Sequence, residues 1–541
     1  MAFDTELLLS LTARRPLILG LGEPTHAEPA FPRLRNRILE ALAGQGFRSI
    51  AIESDRAAAL AIDDYVCGRR DDVHLGGPYT HEVDLGSGLT HGFGLLPANR
   101  ELIDWLRAHN ETNEHITFHG FDAPVDVTGA ASPGPYLREL RDYLGVPAPE
   151  LDELLGDESR WTDPAIMMED ATRSPGRSPE AAALRGLAED LRTMSYGSAP
   201  RRHRDSGSRS WYRAEVLAAT AIGLLTYHAA MAEPMPLSAR MSRLLGVRDA
   251  LMARNLLDIV AHERDRGPTL VFAANAHLQR HPSSWTAHWD GQDVVAEWDG
   301  AGSIVSALLG DRYVFVAGSL GASPSLGLRA PEPGTFEDGL GPETGLFTPD
   351  RIGGGPAPRG DTANGWPSFP LDAETIAGCD AILHVGSGPG AADAARISGL
   401  PGVTATRIEP GSEMPPYTWG DRFFFAGEDR MRPFATIVYS DVPDFDERSR
   451  LSEPGRYRVN VEVGRDEFRK LFGYGPEEFA EHSAGIDFAE PDQLLPHPAY
   501  AVQGWACVVD PGPATAAELD RLLSEARSRS LAREQRRARP A

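Results

Sequence analysis

The sequence predicts an α/β fold: a mostly parallel sheet flanked by helices, with an inserted helical lobe, followed by a smaller α+β domain. Three observations lead there. Residues 16–22, PLILGLG, form a short apolar run ending in glycine. A polar turn follows, then a helical pattern from about Glu28 to Gly44 and a second apolar run, SIAIES. Beyond residue 385 the rhythm changes to strands joined by short turns. Strand, turn, helix, strand is a βαβ unit, with parallel strands and a right-handed crossover.

In open parallel sheets, ligands bind beyond the carboxyl ends of the strands. Glu23 and His26 follow the first strand, and Glu53 and Asp55 end the second. Arg35 lies on the helix between them. Two carboxylates, an imidazole and a guanidinium from one compact unit make a candidate active centre. The same pattern also fits Glu23 as a helix cap and His26 as a surface residue.

Downstream, Arg56–Val66 continues as helix, and Gly68–Gly94 is a loop rich in Gly and His. Its His74, His81 and His91 lack metal-ligand spacing; the loop fits a rim over a site or a solvated segment. Asn99–His109 reads as an amphipathic helix. Ile116–Asp122 reads as the next parallel strand, which puts Asp122 at another carboxyl end. From about Tyr136 to His262 the pattern is helical, a lobe or lid above the sheet. Ser198–Ser210, SAPRRHRDSGSRS, is expected to interrupt it as an exposed mobile loop. Thr269–Ala274 resumes the α/β rhythm, with Asn275 and His277 just beyond the strand. Asp122 and Asn275 are candidate substrate-binding residues, and Asp122 equally fits a helix cap.

Arg312–Ala317 is a further strand, residues 319–372 read as surface loops, and AILHV closes the first domain near residue 385. Gly386–Gly390, GSGPG, marks the boundary. Beyond it RFFFAG, PFATIVYS, YRVNVEVG and AVQGWACVVD read as strands, and DEFRKLFG and ATAAELDRLLSEARSRS as helices. The division is thus 1–385, with helical insertion about 136–262, and 386–541, ending in a basic, frayed tail.

At 541 residues the chain exceeds one ordinary domain. A formal charge of −25 argues against nucleic acid or an anionic membrane as partner. Lys470 is the only lysine; with abundant Ala, Gly and Pro this suggests a bacterial source. Cys67, Cys379 and Cys507 share no metal or redox spacing. The N-terminus lacks signal-peptide features and no run reaches membrane-span length, so a cytoplasmic protein is expected. There is no GxSxG, HExxH or CxxC. The expectation is no serine acyl-enzyme, no metal and no cofactor, with the oligomeric state open.

GEPTHAEPAFPRLR, AIES, HGFDAP, VRDALMARN and NAHLQR, in that order across roughly residues 1–385, resemble the erythromycin esterase family. The resemblance implies a hydrolase of carboxylic esters or lactones of a small molecule, such as a macrolide or other natural product. Antibiotic resistance and secondary metabolism are the settings it suggests. The implied mechanism uses a His base to activate water, without a covalent acyl-enzyme. His26 matches the base, Glu23 the carboxylate three positions before it, Arg35 the helix arginine and Glu53 the second-strand acid. His277 matches the second histidine of a pair often written HNxH, and Ala274 stands in place of the first.

Residues of about 390–530 resemble an uncharacterised bacterial family, domain of unknown function 6194. The carriers are LPGVTATRIEPGSEMPPYTWGDRFFF, MRPFATIVYSDVPDFDERSRLSEPGRYRVNVEVGR and QLLPHPAYAVQGWACVVDPGP. Trp419, Asp421, Arg458, His497 and Trp505 are its landmarks, though both tryptophans also fit a core and His497–Pro498 a fixed turn. In the first domain, the same base facing an acidic C–H would give elimination, epimerisation or cyclisation. A small-molecule-binding protein without turnover is the third reading.

Overall fold

The computed structural model describes residues 5–76, 85, 88–126, 129–168, 170–289, 292–323, 326–329, 331–341, 344–352, 356–362, 367–387, 390–408, 414–427, 430–453 and 456–537. His81, residues 388 and 389 of the GSGPG stretch, and the last four residues of the tail lie outside them.

In chain order the strands of the first part are β1 (Ile18–Glu23), β2 (Ser49–Asp55), β3 (Thr117–Asp122), β4 (Val125–Asp126), β5 (Gly129–Ala130), β6 (Thr269–Ala274), β7 (Ser283–Trp289), β8 (Gln292–Trp298), β9 (Tyr313–Ala322), β10 (Gly345–Phe347) and β11 (Ala381–Ser387). Seven form one sheet, in the order β10-β11-β9-β1-β6-β2-β3. Every pairing is parallel except that of the edge strand β10. The opening βαβ unit is present, but β1 and β2 are not neighbours, because β6 lies between them and pairs with both.

Burial on both faces explains why the strands read as continuous apolar runs. Leu19, Leu21, Ile50, Ile52, Leu270 and Phe272 point to one face. There α1 (Thr5–Ala13), α2 (Ala30–Ala43), α3 (Ala59–Val66) and α4 (Pro97–Thr112) cover them. On α2, Phe31, Leu34, Ile38 and Leu42 recur every three or four residues and form the buried stripe.

A helical lobe follows: α5 (Gly134–Leu144), α6 (Glu150–Leu155), α7 (Ala165–Met168), α8 (Pro179–Met231) and α9 (Leu237–Glu263). Met252, Leu256 and Ile259 of α9 return to cover the other face of the sheet, on Val271, Ala273 and Phe315. The short α10 (Asn275–Leu278) follows β6, and α11 (Ala301–Leu309), α12 (Phe336–Leu340) and α13 (Ala373–Gly378) complete the first part.

The loop expected at 198–210 is corrected. Its backbone is helical on both sides of Gly207, whose φ of 82° joins the two helices of α8. The arginines are anchors: Arg202 donates to the Leu144 carbonyl at 2.7 Å, and Arg209 pairs with Asp63 and Asp64. The next segment, Gly207–Met231, is long and apolar enough to cross a membrane, contrary to expectation, but it is mostly buried inside the lobe. The loops expected at 319–372 are also interrupted. β9 runs on to Ala322, and buried Arg359 holds the Leu320 carbonyl at 2.9 Å.

The second domain is a six-stranded antiparallel sheet. Its strands are β12 (Val403–Arg407), β13 (Arg422–Ala426), β14 (Ala435–Val438), β15 (Arg458–Glu462), β16 (Leu494–Pro496) and β17 (Trp505–Val509), and their order is β12-β13-β14-β15-β17-β16. The helices α14 (Ala391–Ser398), α15 (Gly464–Phe472), α16 (Phe479–His482) and α17 (Ala516–Arg537) belong to it. Leu519, Leu522 and Ala526 of α17 pack with Phe424, Val459 and Val508 of the sheet. That packing extends the helix through residues read as frayed tail.

Trp419 and Trp505 are half-buried and so are not core. His497 Nδ1 accepts hydrogen bonds from the amides of Ala499 and Tyr500, both at 3.1 Å, which makes the segment a fixed turn. Arg458 is a buried hub that donates to Asp446, Ser449 and Asn460.

Asp421 is buried and accepts from the Tyr439 amide at 3.1 Å. Burial pushes its carboxyl up to about 8, against that hydrogen bond and the Arg458 charge. A raised folded-state value means the contribution is full below the ordinary carboxylate range and is lost as pH rises towards 8. Asp421→Asn keeps the acceptor and removes the charge. Its thermal midpoint should exceed the parent's above pH 8, by on the order of 1–3 kcal/mol in stability, and should vary less with pH. An unchanged pH profile would contradict this.

Candidate active site

Because β6 separates β1 from β2, three adjacent strand ends carry the site. Glu23 ends β1, Glu53 lies near the end of β2, and His277 sits on α10 just past β6. The close packing needs a glycine: a Cβ on Gly22 would lie 2.1 Å from the Asn275 amide oxygen.

His26, on the turn before α2, holds Glu23 through Nδ1 at 2.7 Å. That bond puts the neutral ring's proton on Nδ1 and leaves the Nε2 lone pair available. Nε2 lies 3.8 Å from Glu53, and the side chain is 43% exposed. Glu53 is shared. One oxygen accepts from the Ala274 amide at 2.9 Å; the other meets His277 Nε2 and Arg248 Nη2, each at 3.2 Å. Asp249 holds His277 Nδ1 at 2.8 Å, and is itself held by the Trp298 indole at 2.9 Å and the Ala301 amide at 2.8 Å.

These contacts set the charges. Burial penalises the Glu53 carboxylate, but His277, His26 and Arg248 outweigh it and hold the carboxyl well below its ordinary value. Burial likewise opposes the charged form of His277; Asp249 and Glu53 nevertheless raise the imidazole to about 10, so the ring is protonated at neutral pH. His26 is raised too, since Glu53 and Glu23 outweigh desolvation. For Glu23 burial prevails over His26 and the value goes up.

Arg35 is buried, with its guanidinium over the Phe272 ring at 4.9 Å and bonded to Asn36 Oδ1 at 2.7 and 3.0 Å. Burial brings it down to about 10, against Glu23 and Glu101. Glu23, His26, Arg35, Glu53, Phe93 and Phe272 line a cavity of about 10 Å³, room for roughly one water. Phe93 closes it, edge-on to His26 at 5.2 Å between centroids. Phe93 follows His91 and Gly92, two successive residues in the left-handed region, at φ 58° and 74°.

Of the five predicted catalytic residues, Glu23, His26, Glu53 and His277 form one chain of contacts, and Arg35 lines the same cavity while bonding to Asn36. The two predicted substrate-binding residues sit differently. Asp122 is occupied by Arg248 at 2.6 Å and His91 at 3.0 Å. Asn275 bridges the Gly318 amide and carbonyl at 2.9 and 2.8 Å, across to β9. Residues 88–96 supply the rim, but His74 is exposed and bonds only to its local backbone among the described residues.

Sequence reasoning did not single out Arg248, Asp249, Phe93 or Trp298. The Arg–Asp pair was visible inside VRDALMARN; nothing in the sequence distinguishes Phe93 or Trp298. No group of three or more His, Cys, Asp or Glu among the described residues is arranged to hold a metal ion.

A parallel α/β sheet with paired carboxylates and imidazoles at adjacent strand ends defines the class, an α/β protein with an acid–base site. The chain belongs to the erythromycin esterase family, whose model matches residues 42–341. Glu53, Asp122, Arg248, Asp249 and His277 lie within that match; Glu23, His26 and Arg35 precede it. Membership supports a hydrolase-type function. Residues 392–539 match a family of unknown function, DUF6194.

Solved structures with similarity include a Bacillus cereus protein, at 16% identity and TM-score 0.44, covering 71% of this chain and 92% of that one. A succinoglycan biosynthesis protein gives 16% and 0.45, with 71% and 91% covered. A mutant of the erythromycin esterase EreC in its open conformation gives 18% and 0.48, with 71% and 93% covered. No curated protein matches.

Asp249→Asn should lower the His277 pKa from about 10 towards the ordinary 6.5, since it removes the stronger of two carboxylate partners. An NMR titration of the ring measures this directly; a value still near 10 would show that Asp249 does not set the charge.

Proposed function

We propose that the protein hydrolyses a carboxylic ester or lactone of a small molecule by direct attack of water, with His26 as the base and no acyl-enzyme. The observation that carries this is the Glu23–His26–Glu53–His277 chain, of which Glu23, His26 and Glu53 line a cavity sized for one water and His277 lies behind Glu53. Nε2 of His26 takes a proton from that water as its oxygen bonds to the carbonyl carbon. Glu23 holds the ring by Nδ1 and stabilises the imidazolium that forms, in the way a carboxylate orients a catalytic histidine elsewhere. Arg35 faces the developing oxyanion, and His277, already charged, gives its Nε2 proton to the leaving alkoxide. Glu53 keeps the two imidazoles in register. Arg248, Asp122, Asp249 and Trp298 are positioning residues.

A cavity of about 10 Å³ holds no ester, so the substrate carbonyl meets His26 on its exposed side, or after Phe93 moves off the ring. The left-handed pair His91–Gly92 is where such a movement would pivot.

Turnover of a panel of macrolactones and simple esters in heavy-oxygen water should place label in the acid product. Product of unchanged mass would overturn hydrolysis in favour of isomerisation. His26→Ala should lose on the order of 10²–10⁴-fold in kcat; full retention would remove it as the base.

The pH profile of kcat should be bell-shaped. Its acid limb, where His26 must lose a proton, lies above the ordinary imidazole value of 6.5. Its alkaline limb, where His277 loses its proton, lies near 10. An optimum below pH 6.5 would contradict these assignments.

A further inference from the structure

A second cavity, of about 950 Å³, lies between the two domains. The first domain contributes residues of α2 and α4, including Arg33, Glu40 and Trp105; the second contributes Arg450, Arg456 and Glu490 among others. Its volume is that of a small-molecule site, and far larger than the catalytic cavity.

Arg33 is the informative residue. It is only 4% exposed, lines the cavity, and its Nε is buried without a hydrogen-bond partner. A buried guanidinium is ordinarily paired, because the desolvation of an unpaired charge is costly. The acids that act on it, Glu101, Asp441 and Glu28, are committed elsewhere. Asp441 accepts from the Leu451 and Ser452 amides at 2.9 and 3.0 Å. Glu28 accepts from Ala30 and Ser323 at 3.2 and 2.7 Å. Glu101 has Ser452 as its hydrogen-bonding neighbour. Burial consequently outweighs all three, and the Arg33 pKa falls. Arg456, by contrast, is saturated by Asp510, Glu453 and the Ala489 carbonyl.

We propose that the cleft between the domains binds a small molecule through one anionic group, a carboxylate or phosphate, seated on Arg33, with the molecule's apolar body against Trp105. A fixed guanidinium matches either oxyanion in a bidentate fork. The wall limits the charge of the ligand: Glu40, Glu101, Glu490 and Asp510 would repel a polyanion.

The test is calorimetry and thermal denaturation of the full chain with benzoate, acetate and inorganic phosphate, against chloride at matched ionic strength. A saturable rise in midpoint with benzoate beyond acetate identifies a carboxylate with an apolar body; a rise with phosphate alone identifies a phosphate. In either case Arg33→Met should weaken binding at least about tenfold, the loss of a charge-assisted hydrogen bond. If benzoate is the ligand, Trp105→Ala should weaken it and leave acetate unaffected. Should Arg33→Met fail to fold, Arg33→Lys and Trp105→Ala decide. No anion shifting the midpoint beyond chloride, or equal binding in the variants, overturns the proposal. The readout is binding alone, so it is independent of ester turnover.

Discussion

The carboxylate of Glu53 receives His277, Arg248 and the Ala274 amide, and stands within ion-pairing range of His26. These groups come from three parts of the chain: the turn after β1, the lobe helix α9, and the end of β6 with the α10 turn that follows it. Three positive or donor groups around one buried anion offset the cost of taking that anion out of water. They also leave its geometry little freedom, because loss of one partner strands the others. Glu53 thereby ties the lobe helix to the sheet and adds to the charge that Asp249 sets on His277, while Glu23 orients His26. Asp249, locked by Trp298 and Ala301, completes the same arrangement from behind.

Much of this was legible in the sequence, and the limits have physical causes. β1, β2, β3 and β6 were readable because strands buried on both faces leave unbroken apolar runs. Their carboxyl ends then pointed to Glu23, His26, Glu53 and His277. The placement of β6 between β1 and β2 was not readable, because pairing order depends on long-range packing and leaves no local pattern. β12 and β16 were missed for a related reason. They are short sheet edges of three to five residues, without a full alternation. The arginine-rich stretch around Gly207 looked like solvated loop because its anchors, Asp63, Asp64 and the Leu144 carbonyl, are remote in sequence. Asn275 shows what a strand-end position leaves unread. It sits at the right strand end, but its amide is spent on the backbone of β9.

Helix α2 relates the two halves of the molecule. Arg33 and Arg35 are two residues apart, one lining the cleft between domains and the other the cavity beside His26. Asn36 accepts from Arg35, donates to the Ala98 carbonyl at 2.8 Å, and lines the cleft as well. On α4, Asn99 lines the cavity beside His26 and Glu101 the cleft. The second domain thus rests on the outer residues of the two helices whose inner residues wall the candidate site. A shift of either helix is felt in both cavities, since packed elements move as units.

The insertion of β6 between β1 and β2 has a consequence for synthesis. The ribosome delivers β1 and β2 early, but the strand that joins them follows only after the whole lobe has been made. Until then both strands have unpaired edges, and edges of that kind recruit other chains. Non-local pairing also slows folding, because the loop must close before the contact rewards it. The partners of Glu53 on α9 and at the end of β6 are synthesised 195 and 221 residues after it, so its carboxylate is paired only once the lobe and β6 have left the ribosome.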